Sequence, residues 1–349
     1  MTATVVRFRA ELSALLRSEQ TGSSPRDVVV LAVDGMSHAY ASHCWPTART
    51  RRHRSVFPTT SSAGWLSSMT GLEVADHGVP GVVFADPEHC DRLVNVFTHT
   101  GADLIRPTAT IFTDARTIGY RPVAVLGDLQ AYPSTWRDRL LTGADPVDGP
   151  RFFSEGADVM DERELVRRLD EAVRAARDAG SPGAPTLVWC YLELDRHLHR
   201  HGYDRYAVEV MVELGRYAER LAENGTVVVA HSDHGLTPTR HDPELDGLLR
   251  HLCRTHGAML AGAGRTRWFH ASPAASDVLY EVLLRELPTD VRVARRSELF
   301  AESPLITARV GDVVILAEGE RFITDPGYRW EHGSRTEAEL DTPFSLWGA

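Results

Sequence analysis

The sequence holds little that would cross-link or anchor a chain. Its 349 residues include four cysteines, Cys44, Cys90, Cys190 and Cys253, widely scattered and without a CxxC pair. With that pattern the thiols read as reduced and mostly buried, as in a cytoplasmic protein. No apolar run reaches the roughly 18 residues of a transmembrane helix. The first residues carry Arg7, Arg9 and Glu11 where a signal peptide needs an apolar core, so no membrane partner is expected. Excess positive charge is also missing: 38 Lys and Arg against 48 Asp and Glu leave a net −10, which argues against a surface that coats nucleic-acid polymers. Internal repeats and low-complexity segments are absent.

What is present is the composition of a globular protein. Hydrophobic residues at 43% and charged residues at 25% support a real core, and the length allows one large α/β domain or two ordinary ones. Val28-Val-Val-Leu-Ala-Val33 is uncharged and β-branched, the pattern of a strand buried on both faces of a parallel sheet. It ends in Asp34-Gly35, at the carboxyl end where open α/β sheets place ligands. Alone, Asp34 reads as readily as a turn or cap residue. Two further apolar runs repeat the pattern. Thr186–Leu192 leads into Asp195-x3-His199-x2-Gly202, and Gly225–Ala230 leads into His231-Ser-Asp233-His234-Gly235.

Helical spacing over 5–17, 108–119, 161–179 and 205–223 alternates with these strands and with Pro122–Gly127. The expected fold is therefore α/β with a mostly parallel central sheet. A loop after Asp34 is expected to carry the basic cluster Arg49-Thr-Arg-Arg-His-Arg54. That cluster reads as solvated surface, with an arginine reaching a substrate phosphate as the alternative. Pro182-Gly-Ala-Pro185 reads as a turn. Residues from about 243 to 325 read as a smaller mixed α/β insertion, and Thr342–Gly348 as a last edge strand.

In Ser55-Val-Phe-Pro-Thr-Thr-Ser-Ser-Ala-Gly, the hydroxyl run Thr59 to Ser62 marks the cap of a helix running to Thr70 and closed by Gly71. A hydroxyl in that first turn is a cap, or else a nucleophile with the helix dipole and free N–H groups beside it to receive an anion. Four segments thus end in a carboxylate or imidazole followed by Gly: Asp34, Asp195 with His199, Asp233 with His234, and His332. Carboxylate oxygens mixed with imidazole nitrogens suit Zn, Mn or Fe rather than Ca. Six such ligands and a hydroxyl are too many for one tetrahedral site and fit two divalent ions roughly 4 Å apart, the arrangement used for in-line displacement at phosphorus.

On these residues the chain resembles the alkaline phosphatase superfamily, in the branch of type I phosphodiesterases and nucleotide pyrophosphatases. The likeness runs from Val28 to the C-terminus and keeps the segment order: Asp-Gly, Phe-Pro-Thr with its hydroxyls, Thr-Gly, His-Gly, Asp-x3-His-x2-Gly, Asp-His-Gly and His-Gly. It implies a three-layer αβα sandwich over residues 1–349, with the 243–325 insertion as a cap over the site. It implies one metal on Asp195, His199 and His332, and a second on Asp34, Asp233, His234 and the nucleophile. In the family the nucleophile precedes the Thr of Thr-Gly by nine residues, which from Thr70 gives Ser61, with Thr60 as fallback. The branch usually has Thr there. The implied activity is hydrolysis of a small, nucleotide-like phosphodiester or pyrophosphate through a covalent Ser/Thr intermediate, with zinc as the leading metal.

A second departure concerns Val82, five residues after His77, where nucleotide pyrophosphatases carry a polar side chain, often Asn, on a phosphate oxygen. Backbone N–H groups of Ser61 and Ser62 or an arginine of the 49–54 cluster are the expected substitutes. This keeps open a phosphomonoesterase acting on a small phosphate, and a non-catalytic metal-binding module stands as a third reading. The sulfatase signature Cys-x-Pro-x-Arg is absent. His38, His197, His201, His231 and His241 read as supporting or surface residues, with His201 and His231 next in line as ligands.

Overall fold

The computed structural model describes residues 3–349 apart from 23, 87–88, 90, 152–159 and 180–183. Cys90 and part of the turn expected at Pro182–Pro185 lie outside the described residues. Cys44, Cys190 and Cys253 are free, the first two buried.

Val28–Val33 is the middle of an eight-stranded sheet because all six of its side chains are apolar and every one is buried. Side chains alternate across a strand. Val28, Val30 and Ala32 therefore face one layer, packed with Phe8, Leu12, Trp65 and Phe112. Val29, Leu31 and Val33 face the other, packed with Trp45, Leu165, Leu169 and Val210. The first layer consists of helices Phe8–Gln20, Ser61–Thr70 and Ile111–Ile118, and the second of Glu162–Asp178 and Arg205–Glu223. This is the three-layer αβα arrangement, and the sheet is mostly parallel. Val28–Val33 pairs in parallel with Thr186–Leu192 and Val227–His231, and Arg121–Val125 extends the parallel set outward to Asp145–Val147.

Two expectations are corrected here. Asp341–Trp347 is not an edge strand: it runs antiparallel between Val227–His231 and Arg49–Arg54. The basic cluster is not a loop but that neighbouring strand, with Ala3–Thr4 beyond it. Its pattern is carried by His53, which alone is fully buried, while the arginines lie along the outside and meet carboxylates. Arg51 reaches Glu11 at 3.0 Å, Arg52 reaches Asp341 at 3.0 Å and Arg54 reaches Glu337 at 2.5 Å.

A second sheet of six strands, all antiparallel, runs in the order Val291–Arg295, Val313–Ala317, Thr266–His270, Met259–Ala263, Val83–Ala85, Leu93–Asn95. One face joins the main core through Trp268, Val314 and Leu316. The other is covered by helices Pro243–His256 and Pro273–Glu286, through Leu245, Leu249, Leu279 and Leu283. Among the described residues no helix is long and apolar enough to cross a membrane.

Candidate metal centre and active site

The carboxyl ends of the central strands converge. Asp34 follows Val33, and its N–H donates to the carbonyl of Leu192 at 2.9 Å, which ties the first two strand ends together. Gly35 at φ +78° lets the turn pass beside Asp195, where an added Cβ would lie 3.0 Å from Asp195 Oδ1. Asp195 opens helix Asp195–His201, so His199, four residues on, shares its face. Asp233 and His234 follow strand Val227–His231, and His332 follows the short strand Trp330–Glu331. Ser61 is the first residue of helix Ser61–Thr70, after Thr60 in extended conformation.

These residues form two adjoining groups. In one, His199 Nε2 is 3.0 Å and His332 Nε2 is 3.7 Å from Asp195 Oδ2. In the other, His234 Nε2 is 3.3 Å from Asp233 Oδ2 and 3.6 Å from Asp34 Oδ1. The Ser61 hydroxyl donates to Asp34 Oδ1 at 3.3 Å and lies 3.0 Å from His234 Nε2. The rings of His234 and His332 stack 3.8 Å apart where the groups meet. Thr60 is fully buried, and its hydroxyl turns to Ser62 Oγ at 3.2 Å.

The donor set fits metal ions by its hydrogen bonding. Each of the three imidazoles meets a backbone carbonyl with Nδ1: His332 on Thr59 at 2.7 Å, His199 on Trp330 at 3.0 Å and His234 on Gly235 at 3.2 Å. A carbonyl only accepts, so each Nδ1 carries a proton and Nε2 is the nitrogen turned to the site, the one that would be free to bind a metal. Asp195 Oδ1 and Asp233 Oδ2 are buried with no hydrogen-bond partner. Buried polar atoms seldom go unpaired, and a cation would supply the missing partner for both.

The charges agree. Burial, then the neighbouring Asp195, pushes Asp34 up to about 6. Burial together with Asp34 and Asp195 pushes Asp233 well above the carboxylate range. Burial opposes ionisation of Asp195, yet His199 and His332 hold it well below its ordinary value. Burial likewise disfavours the His199 imidazolium, but Asp195 and Glu331 outweigh it and raise the group to about 10. His234, buried beside His332, is held well below its ordinary value. Without a cation the site is a set of carboxylates forced to share protons with one another and with the imidazoles.

Asp34 is fixed by two donors that the sequence pattern did not mark. Tyr191 OH reaches its Oδ2 at 2.6 Å, and Trp65 Nε1 reaches the same atom at 3.1 Å. Thr59 holds the His332 loop, its Oγ1 accepting from the Gly333 N–H at 2.8 Å. Glu331 lies 3.5 Å from His199 Nδ1 and 3.7 Å from His332 Nε2. Its only sequence signal is that it precedes His332.

The two groups open into a cavity of about 440 Å³. One wall is aromatic and apolar, built from Phe97, Tyr132 and Trp136, with Val82 beside them. Glu193 on the same lining accepts from Tyr132 OH at 2.9 Å. The guanidinium on this lining belongs to Arg196, and none of the arginines of strand Arg49–Arg54 reaches the cavity. The alternative in which that cluster holds a phosphate is therefore discarded. The five other histidines singled out in the sequence lie outside these two groups. His197 pairs with Asp204 at 2.9 Å and stacks on His201, His241 meets the carbonyl of Thr324, and His38 meets Ser42. His231 stacks on Phe8 at 3.6 Å inside the core.

Fold and site together define an enzyme of the alkaline phosphatase-like class. A family model described as type I phosphodiesterase / nucleotide pyrophosphatase matches residues 28–335, and the chain belongs to that family, as a hydrolase acting on phosphoester bonds. Solved structures share the fold. Phosphonoacetate hydrolase from Sinorhizobium meliloti 1021, in complex with phosphonoformate, matches at TM-score 0.65 and 19% identity, over 92% of this chain and 89% of that one. Murine ectonucleotide pyrophosphatase / phosphodiesterase 5 matches at TM-score 0.64 and 16% identity, over 93% of this chain and 88% of that one. An inactive form of the murine protein, in complex with AMP, matches at TM-score 0.63 and 16% identity, over 92% and 87%. No curated protein matches the sequence.

Proposed function

We propose that the chain is a two-metal hydrolase of a small nucleotide-like phosphodiester or pyrophosphate, acting through a covalent intermediate on Ser61. The observation that carries this reading is the meeting of Ser61 with two carboxylate–imidazole groups whose three Nε2 lone pairs converge. Asp195, His199 and His332 would hold one ion; Asp34, Asp233, His234 and Ser61 would hold the other, with zinc as the leading metal and Mn or Fe as alternatives. Such ions supply positive charge for the non-bridging phosphate oxygens and for both the attacking and the leaving oxygen.

The chain's own residues do the rest. Ser61 Oγ, 3.3 Å from Asp34 Oδ1, loses its proton to solvent and attacks phosphorus, and the bond to the leaving oxygen breaks. The departing oxygen takes up a proton, leaving the phosphoryl group on Ser61. Water then attacks that phosphorus and Ser61 leaves, regaining its proton. Helix Ser61–Thr70 presents its first N–H groups to the phosphate. The aromatic wall of Phe97, Tyr132 and Trp136 suits a flat organic group such as a nucleobase. The AMP complex of the murine relative supports the same substrate class. The free thiols of Cys44, Cys190 and Cys253 support work in the reducing cytoplasm.

Val82 on the cavity wall favours one second reading. An apolar residue beside the phosphate position gives a diester no extra donor, so a small phosphomonoester is the alternative substrate. Metal-reconstituted enzyme assayed on bis-p-nitrophenyl phosphate and p-nitrophenyl phosphate separates the two. Faster turnover of the diester supports the leading reading, and faster turnover of the monoester replaces it.

A further inference from the structure

We propose that Glu331 is a fourth protein ligand of the first metal site, so that Asp195, His199 and His332 are joined by a second carboxylate. The proposal rests on the two-metal reading above. Glu331 is buried, lines the cavity and sits directly before His332. Its Oε1 is 3.7 Å from His332 Nε2. That nitrogen is the ligating one, since Nδ1 is committed to the carbonyl of Thr59. Asp195 Oδ2 is likewise 3.7 Å from His332 Nε2 and 3.0 Å from His199 Nε2. Donors about 2.1 Å from one ion, at angles of roughly 90–120°, lie roughly 3–3.6 Å apart. At 3.7 Å, Glu331 is about 0.1 Å beyond that range and at the same distance from His332 Nε2 as the expected ligand Asp195.

Outside the site, the guanidinium of Arg267 feels its charge without forming an ion pair with it. Oε1 accepts the His332 N–H at 3.0 Å and lies 3.5 Å from His199 Nδ1, whose proton goes to the carbonyl of Trp330. Among the described residues no arginine forms an ion pair with it. A buried carboxylate without a directly paired cation is costly. The unpartnered buried Asp195 Oδ1 independently marks this group as a cation site. With Glu331 included, each divalent ion meets two carboxylates, Asp195 with Glu331 and Asp34 with Asp233. The extra oxygen makes the first site as rich in carboxylates as the second.

The test uses the full chain loaded with Co²⁺, read by metal content and visible absorption, for wild type and Glu331→Gln. Two ions per wild-type chain are expected, and fewer than two overturns the underlying two-metal reading. In Glu331→Gln the first-site affinity is expected to fall by at least about 100-fold, beyond the ~10–100-fold typical of residues that only orient a ligand. Its cobalt band is expected to strengthen as coordination drops by one, with the second site unchanged. An unaltered cobalt spectrum overturns the proposal, whatever the affinity, because Glu331 then only orients His199. Crystals of the metal-loaded wild type give a readout that does not depend on the variant folding. A Glu331 oxygen about 2.0–2.2 Å from the ion is expected, and one beyond ~3 Å refutes the assignment.

Discussion

Helix Ser61–Thr70 approaches the Asp233 turn so closely that only glycine fits at position 64. A Cβ there would lie 2.8 Å from Asp233 Cβ, 3.0 Å from its carbonyl oxygen and 3.3 Å from its carbonyl carbon. Carbon atoms pack at roughly 3.5–4.0 Å, so Gly64→Ala has to part the helix and the turn by about 0.7–1.2 Å. The neighbours are backbone and Cβ, which cannot rotate away. Alanine gains about 1 kcal/mol of helix propensity, against overpacking of about 1–3 kcal/mol, so net stability changes by at most about 2 kcal/mol. Ser61 is one turn away on the same helix, 3.0 Å from His234 Nε2. A displacement of this size at a nucleophile costs about 100-fold in rate. The expected result is kcat/KM down about 100-fold with the melting temperature lowered by only a few degrees. Gly247→Ala, on helix Pro243–His256 with nothing within 4 Å of an added Cβ, is the control and keeps full activity. Gly64→Ala with wild-type kcat/KM refutes the claim that this contact sets the position of Ser61.

Glu193 gives a pH-dependent prediction. Burial, then Asp128, raises its carboxyl from the ordinary 4.5 to about 8. Between those values the folded state holds a proton that the unfolded state has lost, so stability falls as pH rises through the window, by at most about 5 kcal/mol. Urea unfolding of chelator-stripped protein from pH 5 to 8.5 is expected to show this decline, and Glu193→Gln to flatten it. Parallel profiles for the two proteins contradict the assignment. Substituting Arg51, Arg52 or Arg54 by Ala is expected to leave kcat/KM within about twofold and to cost at most about 1 kcal/mol each, as exposed ion pairs do. A loss beyond tenfold in steady-state assays places that strand in substrate binding after all.

Much of the architecture was legible because it rests on uninterrupted patterns. Val28–Val33 and Thr186–Leu192 are buried on both faces, so their apolar runs have no competing reading. Helix Ser61–Thr70 announced itself by its hydroxyls and by Gly71, which adopts φ +70° at the end. Strand Arg49–Arg54 was hidden because it covers the core with one side chain, His53, and turns arginines to solvent. Asp341–Trp347 carries Pro343, which argues for an edge, yet pairs on both sides. At the strand ends and the start of helix Ser61–Thr70, the residues that the structure brings together, Asp34, Ser61, Asp195, His199, Asp233, His234 and His332, stood out in the sequence by residue type and repeated spacing. Those that act through proximity did not. Tyr191 reaches Asp34 across adjacent strands, Glu331 has no spacing signature, and Gly64 reads in sequence only as a weakness in a helix.

Turnover through Ser61 requires its hydroxyl to become covalently phosphorylated or nucleotidylated. Rapid acid quench of metal-loaded enzyme with bis-p-nitrophenyl phosphate, followed by peptide mass spectrometry, tests it directly. An adduct on Ser61 is expected to form and decay at rates matching turnover, and both adduct and turnover are expected to be lost in Ser61→Ala. An adduct on Thr60, or undiminished turnover in Ser61→Ala, contradicts it.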